Sequence, residues 1–194
     1  GLLSHDILDY LKHNKRLYDQ LHYCIIEKSD AMREKEKRHL PEKVTWYDSV
    51  KDIGEFTGCV LSNELVDNLS VHQVVMEKEL MEVFVDHNDG FVERLQPASA
   101  TLKDYLEQLH ISLPEGSRTE INLQAIDWIK EIADALTRGF ILTIDYGYSS
   151  SGLYSTRRQS GTLLCYYRHT VNSSPYHHIG EQDITAHVNF SALN

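Results

Sequence analysis

Apolar positions along the chain follow two rhythms, and each change of rhythm marks an element. Ile7, Leu8 and Leu11 share one helical face, with Ser4 in place to cap it. Tyr23, Cys24, Ile25 and Ile26 form a short unbroken apolar run ending on Glu27. That pattern predicts a buried parallel strand whose last residue emerges at the carboxyl edge of a sheet. Ser29 and Asp30 predict the cap and first turn of a second helix, running to about His39 before Pro41. A strand at 44–47 ends on Asp48 and Ser49, and another at 59–62 ends on Asn63 and Glu64. Three short strands that finish on polar or acidic residues, with helix-like spacers, predict a doubly wound α/β sheet, where ligands bind beyond the strand carboxyl ends.

From residue 71 the texture changes. Segments 72–76, 80–85 and 91–95 predict an antiparallel meander, with Asn88-Asp89-Gly90 as turn chemistry. Leu102, Leu106 and Leu109 mark a short helix, and Pro114-Glu115-Gly116 breaks the chain. The region of about 71–120 is therefore expected to be an insertion covering the binding face of one domain that spans 1–194. Helical spacing returns at Ile126, Ile129, Ala133 and Leu136, with Gly139 placed as a C′ glycine. Segment 140–144 predicts a buried strand ending on Asp145, Tyr146, Gly147 and Tyr148, and Ser149, Ser150, Ser151 and Gly152 predict a mobile loop.

Composition narrows the function classes. With 194 residues, 41% hydrophobic and 25% charged, the chain suits one globular domain. No apolar run approaches the roughly 18–20 residues of a membrane-spanning helix, so neither a membrane partner nor a signal sequence is expected. A net charge of −10, from 19 Lys and Arg against 29 Asp and Glu, disfavours nonspecific nucleic-acid binding and suits a cationic ligand or a basic protein segment. Cys24, Cys59 and Cys165 are odd in number and widely spaced, which predicts reduced core residues in a cytosol-like compartment. His169, His177, His178, Asp183 and His187 match no compact metal-ligand spacing, and no metal site is expected.

Three groups of residues carry candidate chemistry. Glu27, at a strand end, is placed to accept hydrogen bonds from both ribose hydroxyls of a nucleotide, whether a nicotinamide dinucleotide or another. Asp48 and Ser49, closing the next strand, offer a carboxylate and a backbone amide to an adenine. Asn63 and Glu64 lie just past a further strand, with Asp67 three residues on, close enough to face the same pocket if the segment turns helically. Two carboxylates there suit a guanidinium, through paired charge-assisted hydrogen bonds, and its deprotonation.

Asn63-Glu64-Leu65-Val66-Asp67-Asn68-Leu69-Ser70-Val71-His72 resembles the Asn-Glu-x-x-Asp-x-x-x-Val-His segment of the MidA-like S-adenosylmethionine-dependent methyltransferases. Ile144-Asp145-Tyr146-Gly147-Tyr148, Gly161-Thr162-Leu163, Tyr167-Arg168-His169 and the run 182–190 are similar to later segments of the same family. The resemblance implies a Rossmann-like class I methyltransferase sheet with an inserted antiparallel meander and helix, and S-adenosyl-L-methionine as cofactor. It implies that Glu27 binds the ribose, that Asp48 and Ser49 lie near the adenine, and that Asn63 and Glu64 border the methyl end. Asp67, His72, Asp145 and Tyr146 become acceptor-pocket candidates. The family includes a complex I assembly factor that methylates a protein arginine, so a protein substrate is implied, in a bacterial cytoplasm or the mitochondrial matrix. The family's glycine-rich loop and first strand are expected to precede Gly1, which stands as the last loop glycine, and a final strand pair to follow Asn194. The chain is thus expected to be truncated at both ends.

Two other classes stay open on the sequence. One is a non-catalytic assembly or binding protein that keeps the fold, and the other is a nicotinamide-dependent dehydrogenase, which shares Glu27 but shows no GxGxxG here.

Overall fold

Helix α1 (Leu2–Leu11) starts earlier than a cap at Ser4 implies. Gly1 holds the N-cap position and its carbonyl accepts the His5 amide at 3.0 Å, so the ladder is already closed before Ser4 can cap it. In this computed structural model, which describes residues 1–194, the chain divides into two compact units. The first contains Gly1–Gly58 and Glu131–Gly139, and the second Cys59–Lys130 and Phe140–Asn194.

In the first unit, α1 is followed by α2 (Lys15–Gln20), a helix without a clear sequence signal, whose Leu17 amide is capped by the Asn14 side chain at 3.2 Å. Strands β1 (Tyr23–Ile26) and β2 (Val44–Tyr47) pair in parallel, with Tyr23 opposite Val44 and Ile26 opposite Tyr47. Between them, α3 (Asp30–Lys37) is capped by Ser29, as its sequence predicts. Leu8, Leu40 and Val44 form the buried centre, with Tyr23, Ile25 and Trp46 packed on it. Buried Glu36 of α3 accepts the Trp46 indole N–H at 2.9 Å, which satisfies the carboxylate inside that core. Only one face of β1 is packed. Tyr23 and Ile25 point into the core, whereas Cys24 and Ile26 are exposed, so neither a strand buried on both faces nor a core Cys24 is realised. Cys59 is exposed too, and Cys165 alone of the three cysteines is buried.

The second unit is built on an antiparallel sheet. Strand β3 (Phe56–Asn63) leads into it, a few residues longer than its sequence suggests. Then β4 (His72–Met76), β5 (Leu80–His87) and β6 (Phe91–Pro97) form the expected meander, with the turn made by Asp89 and Gly90 at positive φ. Helix α4 (Ala100–Gln108) buries Leu102, Tyr105 and Leu106 against Val74 and Leu80, each large side chain contributing about 1.5–3 kcal/mol. Strand β7 (Arg118–Ile121) completes the order β6-β5-β4-β7.

Helix α5 (Leu123–Ala135) passes into β8 (Leu136–Ile144) with no intervening loop. Leu136 therefore opens a strand instead of closing the helix, and Gly139 lies inside that strand, not at a helix C-cap. Its φ is +151°, and a Cβ there would stand 1.7 Å from the Gly58 carbonyl oxygen, so close backbone approach is what demands glycine. Strands β3 and β8 are hydrogen-bonded neighbours. The Thr57 hydroxyl meets that of Thr137 and the Ser62 hydroxyl meets that of Thr143, so the two run in the same direction. The single doubly wound sheet that the sequence predicts is not formed: the parallel pairs β1–β2 and β3–β8 are separate two-stranded ladders in a mixed α/β structure. The burial expected for 140–144 is not realised: Phe140 is 79% exposed, and Leu142 and Ile144 are about half exposed.

Beyond β8, β9 (Gly147–Tyr148) is followed by α6 (Ser150–Leu153), where a mobile loop is expected. Buried Leu153 anchors that turn, and the Ser150 hydroxyl donates to Asn189 at 3.0 Å. Strands β10 (Leu164–Tyr167), β11 (Thr170–Asn172) and β12 (Asp183–Thr185) form an antiparallel sheet, and β13 (Val188–Asn189) pairs in parallel with β9.

Candidate active site

The first unit brings Glu27, Asp48 and Ser49 to the carboxyl ends of β1 and β2. The Glu27 amide continues the ladder by donating to the Tyr47 carbonyl at 3.2 Å. One oxygen of its carboxylate accepts the Ser29 amide at 2.7 Å, which fixes the side chain over the start of α3 and leaves the second oxygen for a ligand. Asp48 is 79% exposed and pairs with Arg33. Ser49 is arranged differently from its sequence expectation. Its amide donates to Asp52 at 2.9 Å and its hydroxyl accepts the Lys51 amide, a reciprocal cap on the 3₁₀ turn Val50–Asp52 that takes the amide away from any adenine. Gly1 caps α1 beside Glu36. A half-bonded glutamate and an exposed aspartate, on adjacent parallel strand ends, are the donor-seeking groups a ribose and an adenine amino group require, so these residues fit a nucleoside.

The second unit gathers the other candidates. Glu64 follows β3 with φ +47°, a left-handed conformation rare for a non-glycine residue and a mark of local constraint. Its amide donates to the Ile144 carbonyl at 2.8 Å, which ties it to the end of β8. The expected helical turn is there as a 3₁₀ turn, Val66–Asn68, and it buries Asp67, which is 4% exposed. Asp145, just past β8, accepts the Val66 and Asp67 amides at 2.9 and 3.3 Å on one oxygen and the Tyr146 amide at 2.8 Å on the other. Its carboxylate thus serves backbone amides and holds the turn in place. Tyr146 donates its hydroxyl to Glu64 at 2.9 Å, and the Asn68 amide group donates to Asp67 at 2.8 Å.

These contacts set the protonation states. Burial, then the charges of Asp145 and Glu64, push the Asp67 carboxyl above an ordinary aspartate. The Glu64 carboxylate, as hydrogen-bond acceptor and then as charge, raises the Tyr146 hydroxyl and keeps it protonated. A cavity of about 230 Å³ opens beside Asp67 and Asn68, lined also by Ser70, Leu163, Ile184 and Ala186. No lysine or arginine pairs with Glu64, Asp67 or Asp145, so their charge is left uncompensated.

The remaining candidates separate from this group. Asn63 is the exposed last residue of β3. His72 lies at the start of β4 and pairs through Nδ1 with Glu82 at 2.6 Å, a bond within the antiparallel sheet and not with the carboxylates after β3. Of the tail histidines, His178 stacks on Tyr167 with ring centres 3.8 Å apart. His187 keeps a buried Nδ1 without a partner, and burial lowers its pKa. Sequence reasoning missed Arg33 altogether. Its only signal is a position four residues after the Ser29 cap, one helical turn into α3, where a long side chain reaches back over the strand ends.

No curated protein matches the chain. Residues 1–194 match a family described as "Putative S-adenosyl-L-methionine-dependent methyltransferase". A COG1565 superfamily member from Burkholderia thailandensis, bound to S-adenosyl-homocysteine, is 31% identical and superposes with a TM-score of 0.87, over 100% of this chain and 51% of that one. A native COG1565 superfamily protein from Burkholderia thailandensis gives 31% identity and a TM-score of 0.82, over 96% of this chain and 52% of that one. The chain spans about half the length of these structures. No helix is long and apolar enough to cross a membrane. From the family match over its whole length, and from likeness to these two structures, the chain belongs to the MidA-like, COG1565 family of S-adenosyl-L-methionine-dependent methyltransferases.

Proposed function

We propose that this chain contributes to methyl transfer from S-adenosyl-L-methionine to a nitrogen of an arginine side chain in a protein. When bound, S-adenosyl-L-methionine supplies an electron-poor methyl group on a positively charged sulfur. Glu27 holds the ribose through its free carboxylate oxygen, and Asp48 receives the adenine amino group. The S-adenosyl-homocysteine bound to the Burkholderia thailandensis relative supports the choice of cofactor.

The observation that carries the acceptor reading is Asp67, buried and crowded by two other carboxylates beside a cavity, with no cation to balance them. A guanidinium brings planar donors and a permanent positive charge, which such a site stabilises by charge-assisted hydrogen bonds. Glu64, steadied by Tyr146, and Asp67 bind the acceptor, while Asp145 holds the turn that carries Asp67. A guanidinium gives up a proton reluctantly, since its pKa lies above about 12. A carboxylate raised above its usual range takes that proton more readily as the nitrogen acquires its methyl group.

The test combines calorimetric titration of S-adenosylhomocysteine with methyl transfer from radiolabelled cofactor to candidate proteins, using the complete protein. Binding that weakens at least about tenfold in Glu27→Ala, together with arginine methylation lost in Asp67→Asn, is expected. Methylation confined to another residue type would overturn the acceptor reading. Tight cofactor binding without transfer to any protein would point to an assembly role.

A further inference from the structure

We propose that Arg33 is a positioning residue that makes the cofactor site selective for adenine over a 6-oxo purine. This rests on the reading above in which Glu27 and Asp48 hold the nucleoside.

Arg33 lies in α3, and its side chain is 16% exposed. Its guanidinium reaches three acceptors at the ends of β1 and β2. Nε donates to the Glu27 carbonyl, and Nη2 donates to the Tyr47 carbonyl at 3.0 Å and to Oδ1 of Asp48. The Glu27 amide donates to that same Tyr47 carbonyl, so a single planar group spans the last rung of the β1–β2 ladder.

That grip has two consequences for Asp48. An exposed aspartate normally samples several rotamers, and an exposed ion pair adds little to stability. Arg33, however, is itself fixed by two backbone carbonyls, so the pair transmits the geometry of the strand ends to the carboxylate. Oδ1 is committed to the guanidinium, and Oδ2 is left facing solvent as an acceptor of set direction. The guanidinium also offsets the carboxylate charge in place. Asp48 then suits a neutral donor, such as an exocyclic amino group, more than a free cation. A purine carrying an oxo group at the same position meets acceptor with acceptor and is repelled. Lysine cannot reproduce this arrangement, because a point charge on a flexible stem does not hold three acceptors in one plane.

The test is calorimetric titration of the complete protein with S-adenosylhomocysteine and with its 6-oxo analogue, S-inosylhomocysteine. The variants are Arg33→Met, Arg33→Lys, Asp48→Asn and Glu27→Ala. The wild type is expected to prefer S-adenosylhomocysteine by at least about tenfold. In Arg33→Met the preference should fall to within about threefold, with Arg33→Lys between the two. The double variant with Asp48→Asn should lose no further selectivity, since both changes remove one device. Equal weakening of both ligands in Arg33→Met, with the preference intact, would overturn the proposal and reduce Arg33 to a clamp on the strands. Should Arg33→Met fail to fold, a wild-type preference in Arg33→Lys would overturn it equally. Unchanged S-adenosylhomocysteine affinity in both Glu27→Ala and Asp48→Asn would instead overturn the nucleoside assignment on which it rests.

Discussion

Two sets of carboxylates stand at strand ends in this molecule, and their surroundings differ in sign. In the first unit, Glu27 and Asp48 are answered by an amide and by the Arg33 guanidinium. In the second, Glu64, Asp67 and Asp145 find amides, an asparagine and a tyrosine hydroxyl, but no cation. A carboxylate balanced by its neighbours is an acceptor for neutral donors. One crowded by others of its kind is a vacancy for a positive charge, at a cost to the fold that holds it. The same residue types thus suit a nucleoside in one unit and a guanidinium in the other.

Supplying the missing cation should abolish that difference most completely. Asn68→Lys, which sets an ammonium beside Asp67, is expected to lower methyl transfer by about 100-fold or more while cofactor affinity stays within about twofold. Parallel assays of transfer and of S-adenosylhomocysteine binding check this, and equal losses in both would remove the distinction. A smaller effect follows from the strain of the cluster. The Asp67 pKa is raised on folding, so the stability it contributes is complete below the unfolded value of about 3.9 and is lost as pH rises through the folded value. Asp67→Asn, which keeps an acceptor for Asn68, should therefore unfold about 2–4 °C higher at pH 7, with the gain shrinking as pH falls towards 3. Thermal melts across that range check the sign, and a gain that persisted at low pH would refute the charge explanation. The smallest change is expected from Tyr146→Phe. Losing one hydrogen bond to Glu64 at an exposed position should reduce kcat/KM by up to about tenfold, with the melting temperature within about 1 °C.

Strand ends were the most legible part of the sequence. Tyr23-Cys24-Ile25-Ile26 before Glu27, and Val44-Thr45-Trp46-Tyr47 before Asp48, match β1 and β2 residue for residue, because a short apolar run closed by a carboxylate has few other solutions. The meander was legible for a similar reason, the Asn88-Asp89-Gly90 turn fixing where one strand had to reverse. Burial was not. The run from Phe140 to Ile144 has the composition of a core strand, yet composition does not say what packs against it, and its apolar side chains lie open. At the candidate sites, the residues past β3 were visible as a spacing that only a turn could exploit. The roles of Asp145 and Ser49 were hidden, since whether a side chain serves a ligand or a nearby amide is decided by backbone direction. Arg33 was hidden more deeply, because two of its three partners are backbone carbonyls, which leave no trace in a sequence.

The opposed glycines of β3 and β8 have a consequence in the genetics of the chain. At position 58 a methyl group would meet nothing closer than the Phe56 ring at 3.8 Å, so an alanine codon is spatially admissible. At position 139 any side chain drives into the Gly58 carbonyl. A glycine codon becomes another amino acid through a change in either of its first two bases, and each replacement brings a Cβ. At residue 139 only third-base changes are silent to the fold, whereas its neighbour across the ladder also has room for the single change to alanine.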